Sequence, residues 1–185
     1  MTKIEQAIQF AVNAHAGAKR KGKSRPYILH PLESMIIVAS ITEDEDVLAA
    51  TVLHDTVEDT DTTKEELLRL FGQRVASLVA AESENKREGQ KAEDTWKTRK
   101  QETIDHLKTV DREAKLICLG DKLSNMREIF RDYEQLGVGI WERFNQKDPN
   151  LHEWYYRSLF EVLKEEFPAT SAIEEYGQLL EKVFG

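Results

Sequence analysis

The segment Leu53-His54-Asp55-Thr56-Val57-Glu58-Asp59-Thr60 carries one imidazole and three carboxylates within six positions. The apolar residues before it predict a buried helix that leads into His54 and Asp55. Polar side chains near a core are costly unless they are satisfied, and a divalent metal ion is the simplest partner for this pair. Glu58 and Asp59 follow four positions later, one helical turn away on the same side. The segment therefore predicts the centre of a metal-dependent hydrolase.

Two further candidate metal ligands come from distant parts of the chain. His30 precedes Pro31, which suits the first turn of a helix, and we expect the proline to keep His30 in an extended conformation at the helix entrance. Asp121 follows residues 114–120, an apolar stretch that predicts a deeply buried helix. Two imidazoles and two carboxylates suit manganese, iron, zinc or cobalt better than magnesium, which favours oxygen ligands alone.

Each of these residues also has a purely structural role open to it when it is taken singly. His30 could be a helix cap or a surface histidine, and Asp121 could form a buried ion pair with Lys122 or Arg127. Residues 56–61 could be an acidic turn between two helices. The four candidate ligands together favour a metal site. Next to such a site, a carboxylate can accept the proton of the attacking water.

A cationic loop lies between the first helix and His30, although the formal net charge of the chain is −8. The acidic balance argues against a broad nucleic-acid surface, whereas a dense basic loop predicts a local phosphate site or, alternatively, a solvated loop. The segment 96–100 could be a second phosphate contact, but we favour an exposed helical face. The group Trp154-Tyr155-Tyr156 predicts core packing, with one ring stacking on a base. The basic residues of the loop are Lys19, Arg20, Lys21, Lys23 and Arg25.

Helical periodicity extends through nearly all of the 185 residues, and no stretch alternates as a strand does. We predict an all-α fold: residues 1–185 form a single compact bundle of about eight to ten helices, closed by helices within 151–185. We expect a polar loop at 83–94, a helix capped by Thr95, and a long helix from Asp111 to about Leu136, ended by glycines.

Bulk composition indicates an ordinary globular protein, with 40% hydrophobic and 32% charged residues. The single cysteine excludes an internal disulfide, and we find neither a membrane-length apolar run nor a signal peptide. We expect a cytoplasmic protein with a small-molecule nucleotide substrate and no nucleic-acid or membrane partner. Composition leaves open whether the chain is a monomer or a homodimer.

Three segments in this order resemble the hydrolase domain of the RelA/SpoT alarmone enzymes, above all their small stand-alone hydrolases. They are Arg20-Lys21 with Pro26-Tyr27-Ile28-Leu29-His30-Pro31, then residues 53–60, then Gly120-Asp121-Lys122-Leu123-Ser124-Asn125-Met126-Arg127. These enzymes are HD-domain phosphohydrolases, and the resemblance covers roughly residues 1–165. It implies an all-helical HD-domain fold with one Mn²⁺ ion. The implied activity is removal of the 3′-pyrophosphate from ppGpp and pppGpp to give GDP or GTP, without synthesis.

The resemblance also implies roles for individual residues. The implied metal ligands are His30, His54, Asp55 and Asp121, and the implied catalytic carboxylates are Glu58 and Asp59. Arg20 and Lys21 match basic residues of the family that flank the guanine and the phosphates. Asn125 matches a substrate-side residue near the metal. We also assign base stacking to Tyr155.

Two loops depart from the family pattern. This chain has Lys23-Ser24-Arg25 where the family often has glycine and a small or acidic residue, and residues 82–86 stand where it often has Val-Thr-Lys. Both loops border the nucleotide in the family, so ppApp, NADPH or a nucleoside monophosphate stays open as substrate. A non-catalytic nucleotide-binding module is a further alternative, which the intact ligands and carboxylates disfavour.

Overall fold

The computed structural model describes residues 1–83 and 89–185, which fold without a β-strand. The prediction of an all-α fold is confirmed, and none of the described helices is long and apolar enough to cross a membrane. The α-helices are α1 (Lys3–Ala14), α2 (Leu29–Ala39), α3 (Glu45–Leu53), α4 (Thr56–Asp59), α5 (Lys64–Phe71), α6 (Gln73–Glu82), α7 (Ala92–Leu107), α8 (Arg112–Leu136), α9 (Pro149–Glu166) and α10 (Ser171–Phe184), with a 3-10 segment at Gly137–Arg143 between α8 and α9.

The chain divides into two compact units. Unit 1 comprises Met1–Ser83 and Arg112–Ser124, and unit 2 comprises Glu84–Asp111 and Asn125–Gly185. Helix α8 therefore contributes residues to both units. The prediction that residues 1–185 form one domain stays a prediction.

Helix α3 forms the centre of unit 1, where it packs against α1, α2 and α6. Every residue from Val47 to Leu53 is buried. The Asp44 carboxylate caps the helix by accepting hydrogen bonds from the backbone N–H groups of Asp46 and Val47. Because α3 is buried on all sides, the residue that follows it, His54, also lies in the interior, where it is 3% exposed.

Gly120 allows α8 to approach α2 closely within unit 1. A Cβ atom at this position would lie 2.7 Å from Cγ2 of Val38 and 2.8 Å from the carbonyl oxygen of Ser34. Both distances are shorter than van der Waals contact, so only glycine fits without a shift of the neighbours. The close approach brings the next residue, Asp121, against α2.

In unit 2, α9 packs against α7 and α10. An aromatic cluster joins these helices to the 3-10 segment: the Trp141 ring stacks on His152 at 4.7 Å and on Phe184 at 5.5 Å between ring centroids. Trp96 meets His152 edge-on at 5.2 Å. The two closing helices expected within 151–185 are α9 and α10.

Some predicted helix ends were wrong. Thr95 lies inside α7, whose N-cap is Lys91, and its hydroxyl donates to the Lys91 carbonyl at 3.3 Å as a threonine inside a helix can. Helix α8, in contrast, ends at Leu136 directly before Gly137, as expected, and a 3-10 segment follows at Gly137–Arg143. The expected loop at 83–94 includes residues 84–88, which lie outside the described residues. The segment 82–86, which departs from the family pattern, overlaps them at 84–86.

Candidate metal centre

Three parts of unit 1 bring the predicted metal ligands together. His30 lies in the first turn of α2, His54 and Asp55 connect α3 to α4, and Asp121 lies on α8. The candidate ligand atoms of His30, His54 and Asp121 all lie within 4.8 Å of one another, and all three residues are buried. Asp55 joins them, since its Oδ2 atom is 3.1 Å from Nε2 of His54.

The distances within this cluster suit ligands that share one ion. Nε2 of His30 lies 3.1 Å from Oδ1 of Asp121 and 3.6 Å from Oδ2 of Asp55. Nε2 of His54 lies 3.1 Å from Oδ2 of Asp55 and 3.7 Å from Oδ1 of Asp121. These nitrogen–oxygen distances are short enough for all four residues to hold one divalent ion, which His and Asp atoms would bind at about 2.0–2.2 Å.

The expectation that His30 has an extended backbone was wrong, because His30 is already helical. Its N–H donates to the carbonyl of Tyr27 at 3.0 Å, and α2 begins one residue earlier, at Leu29. The backbone N–H groups in the first turn of a helix have no intrahelical acceptor. Pro31, which lacks an N–H group, is therefore tolerated two positions after the start of α2. The helical backbone fixes the direction of the His30 side chain toward Asp121.

The hydrogen bonding of His54 leaves its Nε2 atom directed into the cluster. Nδ1 of His54 lies 2.7 Å from the carbonyl oxygen of Thr51, which can only accept, so Nδ1 carries the proton. Nε2 of His54 is buried and has no hydrogen-bond partner among the described residues. Because Nε2 faces carboxylate oxygens, a positive charge between them is favourable, supplied either by a proton on Nε2 or by a metal ion. The residues present therefore fit a divalent metal ion.

The electrostatics of the cluster favour positive charge. Burial opposes a charged imidazole, yet the carboxylates of Asp55 and Asp121 outweigh burial and raise the pKa of His54 well above its usual range. Burial likewise favours neutral acids, but His54 and His30 hold the pKa of Asp55 below its usual range. A proton or a metal cation is stabilised at this point for the same reason.

Asp121 uses its two carboxylate oxygens differently. Oδ2 pairs with the ammonium group of Lys122, whereas Oδ1 faces the two imidazoles. The alternative that Asp121 forms an ion pair with Lys122 is thus compatible with a ligand role. Arg127 belongs to unit 2 and makes a bidentate pair with Glu175, with both N–O distances at 2.7 Å.

The predicted catalytic carboxylates lie on the short helix α4. The backbone N–H of Asp59 donates to the carbonyl of Asp55 at 2.9 Å, so the expected one-turn spacing between these two residues is present. The Asp59 carboxylate lies 3.1 Å from the hydroxyl of Tyr27. Glu58 is half-buried on the same helix.

Tyr27 is a site residue that the sequence patterns missed. Its hydroxyl donates to Oδ2 of Asp55 at 2.7 Å, and its ring lies against the buried imidazole of His15 at 4.9 Å between centroids. Burial, followed by the negative charges of Asp55 and Asp59, raises the pKa of Tyr27, so the phenol keeps its proton. No periodicity connects residues 27, 55 and 59, and only the fold reveals the contact.

The sequence patterns assigned no individual role to three more residues near the cluster. Ser124 and Glu33 extend the hydrogen bonding of His30. Glu82 ends α6, where desolvation raises the pKa of its carboxyl group to about 7, with Lys122 opposing the shift.

The cationic loop is anchored at its base. Lys19 and Pro26 form an isolated antiparallel bridge, and the N–H of Tyr27 donates to the carbonyl of Ala18 at 2.9 Å. The guanidinium of Arg20 lies over the Tyr27 ring at 5.4 Å, whereas Lys21 is exposed. The loop thus begins and ends beside the residue that contacts Asp55.

The other predicted substrate residues belong to unit 2. Asn125 is half-buried and follows Ser124 directly along α8. The Tyr155 ring is 4% exposed and packs edge-on against Trp96, with the ammonium of Lys100 at 5.0 Å from its centroid. Its burial agrees with the expected core packing, and base stacking by Tyr155 stays a prediction.

A family model described as "HD domain" matches residues 7–149. A Danio rerio protein named guanosine-3′,5′-bis(diphosphate) 3′-pyrophosphohydrolase MESH1 is 38% identical over 68% of this chain and 68% of its own length. The protein of that name from Xenopus tropicalis is 40% identical over 69% of this chain and 70% of its own length. A guanosine-3′,5′-bis(diphosphate) 3′-pyrophosphohydrolase from Aquifex aeolicus is 31% identical over 85% of this chain, which spans 24% of that longer relative.

Solved structures show the same fold. One, described as a metazoan ortholog of SpoT that hydrolyses ppGpp, aligns with a TM-score of 0.77 over 98% of this chain and 95% of its own, at 24% identity. A Listeria monocytogenes EGD-e protein aligns with a TM-score of 0.73 over 88% of this chain and all of its own, at 30% identity. The predicted HD-domain fold is confirmed by these likenesses.

Proposed function

We propose that this chain, which belongs to the HD-domain family, is a metal-dependent hydrolase that removes the 3′-pyrophosphate of the guanosine alarmones ppGpp and pppGpp. The observation that carries the proposal is the convergence of two imidazole nitrogens and two carboxylate oxygens on one point in unit 1, with nitrogen–oxygen distances of 3.1–3.7 Å. The names of the MESH1 relatives support the substrate.

The proposed metal ligands are His30, His54, Asp55 and Asp121, and the proposed ion is Mn²⁺. The mixed nitrogen and oxygen ligands support a transition ion over magnesium. When it is bound, the ion supplies Lewis acidity to a water molecule and to the phosphoryl oxygens.

The carboxylates of Glu58 and Asp59 are the proposed proton acceptors and orient the attacking water. The water oxygen bonds to the phosphorus attached to O3′, the O3′–P bond breaks, and O3′ takes up a proton. The products are GDP or GTP with a free 3′-hydroxyl, and pyrophosphate that contains the oxygen of the water. Attack on the distal phosphorus would release orthophosphate instead.

The cationic loop is the proposed phosphate contact. Arg20 and Lys21 offset negative charge on the phosphates, and the position of Arg20 over the Tyr27 ring supports this role, since Tyr27 also contacts Asp55. Asn125 and Tyr155 are further proposed contacts to the substrate. We propose that the protein acts in the cytoplasm on a small-molecule nucleotide and binds no nucleic acid, as the net charge of −8 supports.

Product analysis tests this proposal. Purified protein with Mn²⁺ and ppGpp should release equal amounts of pyrophosphate and GDP, and a chelator should stop the reaction. In H₂¹⁸O the label should appear in pyrophosphate and not in GDP. Parallel incubations with pppGpp, ppApp, NADPH and a nucleoside monophosphate decide the substrate class. Orthophosphate as the product, or turnover of a different nucleotide alone, would overturn the assignment.

A further inference from the structure

A buried serine lies between one candidate metal ligand and an acid on the same helix as that ligand. Oγ of Ser124 is 2.9 Å from Nδ1 of His30 and 2.8 Å from Oε2 of Glu33. His30 and Glu33 are three residues apart on α2 and therefore share a face. Ser124 lies on α8 and is 1% exposed.

The number of protons in this chain of hydrogen bonds fixes their direction. A serine hydroxyl has one proton, and an ionised carboxylate can only accept, so Ser124 donates to Glu33. Toward His30 the hydroxyl can then only accept, which requires a proton on Nδ1 of the imidazole. The other nitrogen, Nε2, is left with its lone pair directed at Oδ1 of Asp121, 3.1 Å away.

We propose that Ser124 and Glu33 are positioning residues that hold His30 in the Nδ1–H tautomer, so that Nε2 is ready to bind the metal ion. The inference rests on the proposed metal site and not on the identity of the nucleotide. Outer-sphere partners of metal-ligating histidines commonly fix the tautomer in this way and change metal affinity by about 10–100-fold.

The two imidazoles of the site depend on different partners. His54 donates from Nδ1 to the backbone carbonyl of Thr51, and no side-chain substitution removes that acceptor. The tautomer of His30 instead depends on two side chains. Substitution of Ser124 or Glu33 should therefore weaken His30 as a ligand and leave His54 in place.

Metal titration of the full chain tests the proposal. In Ser124→Ala, Nδ1 loses its acceptor. In Glu33→Ala, the serine proton becomes free to point at Nδ1 and to favour the opposite tautomer. Both variants should raise the dissociation constant for Mn²⁺, measured by electron paramagnetic resonance, by about 10–100-fold. The control Ser40→Ala removes a hydroxyl bonded to the Ile37 carbonyl at 2.7 Å, at the end of the same helix, and should bind Mn²⁺ as the wild type does.

The tautomer itself is visible by ¹⁵N NMR of the imidazoles in the chelator-treated full chain. The wild type should show His30 protonated at Nδ1, and Glu33→Ala should show a shift toward Nε2–H. Glu33 is half-buried, so this variant keeps the test usable if Ser124→Ala fails to fold. An Nε2–H tautomer in the wild type, or unchanged tautomer and Mn²⁺ affinity in Glu33→Ala, would overturn the inference.

These readouts separate this inference from the proposed function. A wild type that spares ppGpp but binds Mn²⁺ more tightly than the variants refutes the substrate and supports the positioning role. If instead the wild type hydrolyses ppGpp and the variants bind Mn²⁺ as tightly as it does, the substrate is supported and the positioning role is refuted.

Discussion

The hydroxyl of Tyr27 donates a hydrogen bond to Oδ2 of Asp55 at 2.7 Å. The same carboxylate oxygen lies 3.1 Å from Nε2 of His54. The phenol also lies 3.1 Å from the carboxylate of Asp59, so one side chain connects a proposed metal ligand with a proposed proton acceptor. Its ring lies near both the His15 imidazole and the Arg20 guanidinium.

Tyr27→Phe should lower kcat for the alarmone substrate by about 10–100-fold, the range of outer-sphere changes at metal sites. The ring that packs on His15 remains, so the melting temperature should change little. KM should stay near that of the wild type, because the phenol orients carboxylates and does not bind the nucleotide. Steady-state kinetics at saturating Mn²⁺ check this expectation.

Tyr176→Phe is the matched control for Tyr27→Phe. Its hydroxyl donates to the backbone carbonyl of Tyr156 at 3.1 Å in unit 2, so the control removes a buried tyrosine hydroxyl that donates to no site residue. It should reduce stability slightly and leave kcat unchanged. Equal losses of kcat in the two variants would show that Tyr27 has no specific role.

Glu58→Gln should keep the metal ion and lose turnover. The substitution preserves size and removes the proton-accepting group, which typically contributes about 10²–10⁴-fold to a rate. Mn²⁺ binding measured beside single-turnover rates separates the two effects. Glu65→Gln, an exposed acid in the first turn of α5, should leave both unchanged. Weakened Mn²⁺ binding in Glu58→Gln would instead identify Glu58 as a ligand.

Asp121→Asn should weaken Mn²⁺ binding by more than the roughly 10–100-fold expected of outer-sphere changes, because it removes a charge that faces both imidazoles. The Lys122 ammonium also loses its ionised partner, which adds repulsion near the cation. Calorimetric titration with Mn²⁺ measures the change. Wild-type affinity in this variant would remove Asp121 from the ligand set.

Gly120→Ala should destabilise the protein by about 1–3 kcal/mol, because the added methyl group would overlap Val38 and the Ser34 backbone. A shift of α8 away from α2 should also separate Asp121 from His30 and weaken Mn²⁺ binding. Gly139→Ala, where a Cβ atom meets nothing within 4 Å, is the control and should change neither property. Denaturant unfolding and Mn²⁺ titration of both variants measure the two effects.

His152 should make stability depend on pH. Burial, with a contribution from Lys100, lowers its pKa in the folded state below the ordinary value of about 6.5. As the pH falls below about 6.5, the unfolded chain takes up the proton and the folded chain does not, so the free energy of unfolding decreases. This loss ends once the pH has passed the folded-state pKa.

Substitution of His152 isolates its contribution to acid sensitivity. His152→Gln retains a donor for the Gln146 carbonyl, which Nε2 of His152 contacts at 2.8 Å, and cannot be protonated. Urea unfolding between pH 7.5 and 5.5 should show a smaller loss of stability in the variant. Parallel curves for the two proteins would contradict the lowered pKa.

The sequence predicted most of the helices because their apolar periodicity is strong. The long helix expected from Asp111 to about Leu136 is present within one residue. Other helix ends differ from the prediction. Thr95, predicted as a cap, lies inside α7, and His30 is helical although a proline follows it. Such ends depend on which backbone groups find partners, and side-chain type alone does not determine this.

The candidate ligands were predictable because an adjacent imidazole and carboxylate, His54 and Asp55, follow a buried helix and are costly there without a cation. Their supporting residues were not predictable. Ser124 is 94 residues from His30 in the chain, and Tyr27 is 28 residues from Asp55. Serine and tyrosine hydroxyls occur throughout any protein, and only the folded arrangement of unit 1 shows which of them reach a ligand.

Mn²⁺ occupancy measured beside turnover tests the central claim, that one cation held by His30, His54, Asp55 and Asp121 is required for hydrolysis. Chelator-treated protein should be inactive toward ppGpp, and stepwise addition of Mn²⁺ should restore pyrophosphate release in proportion to binding, up to one ion per chain. Full turnover in the presence of chelator, or saturation of Mn²⁺ binding in His54→Ala at the wild-type affinity, would contradict the claim.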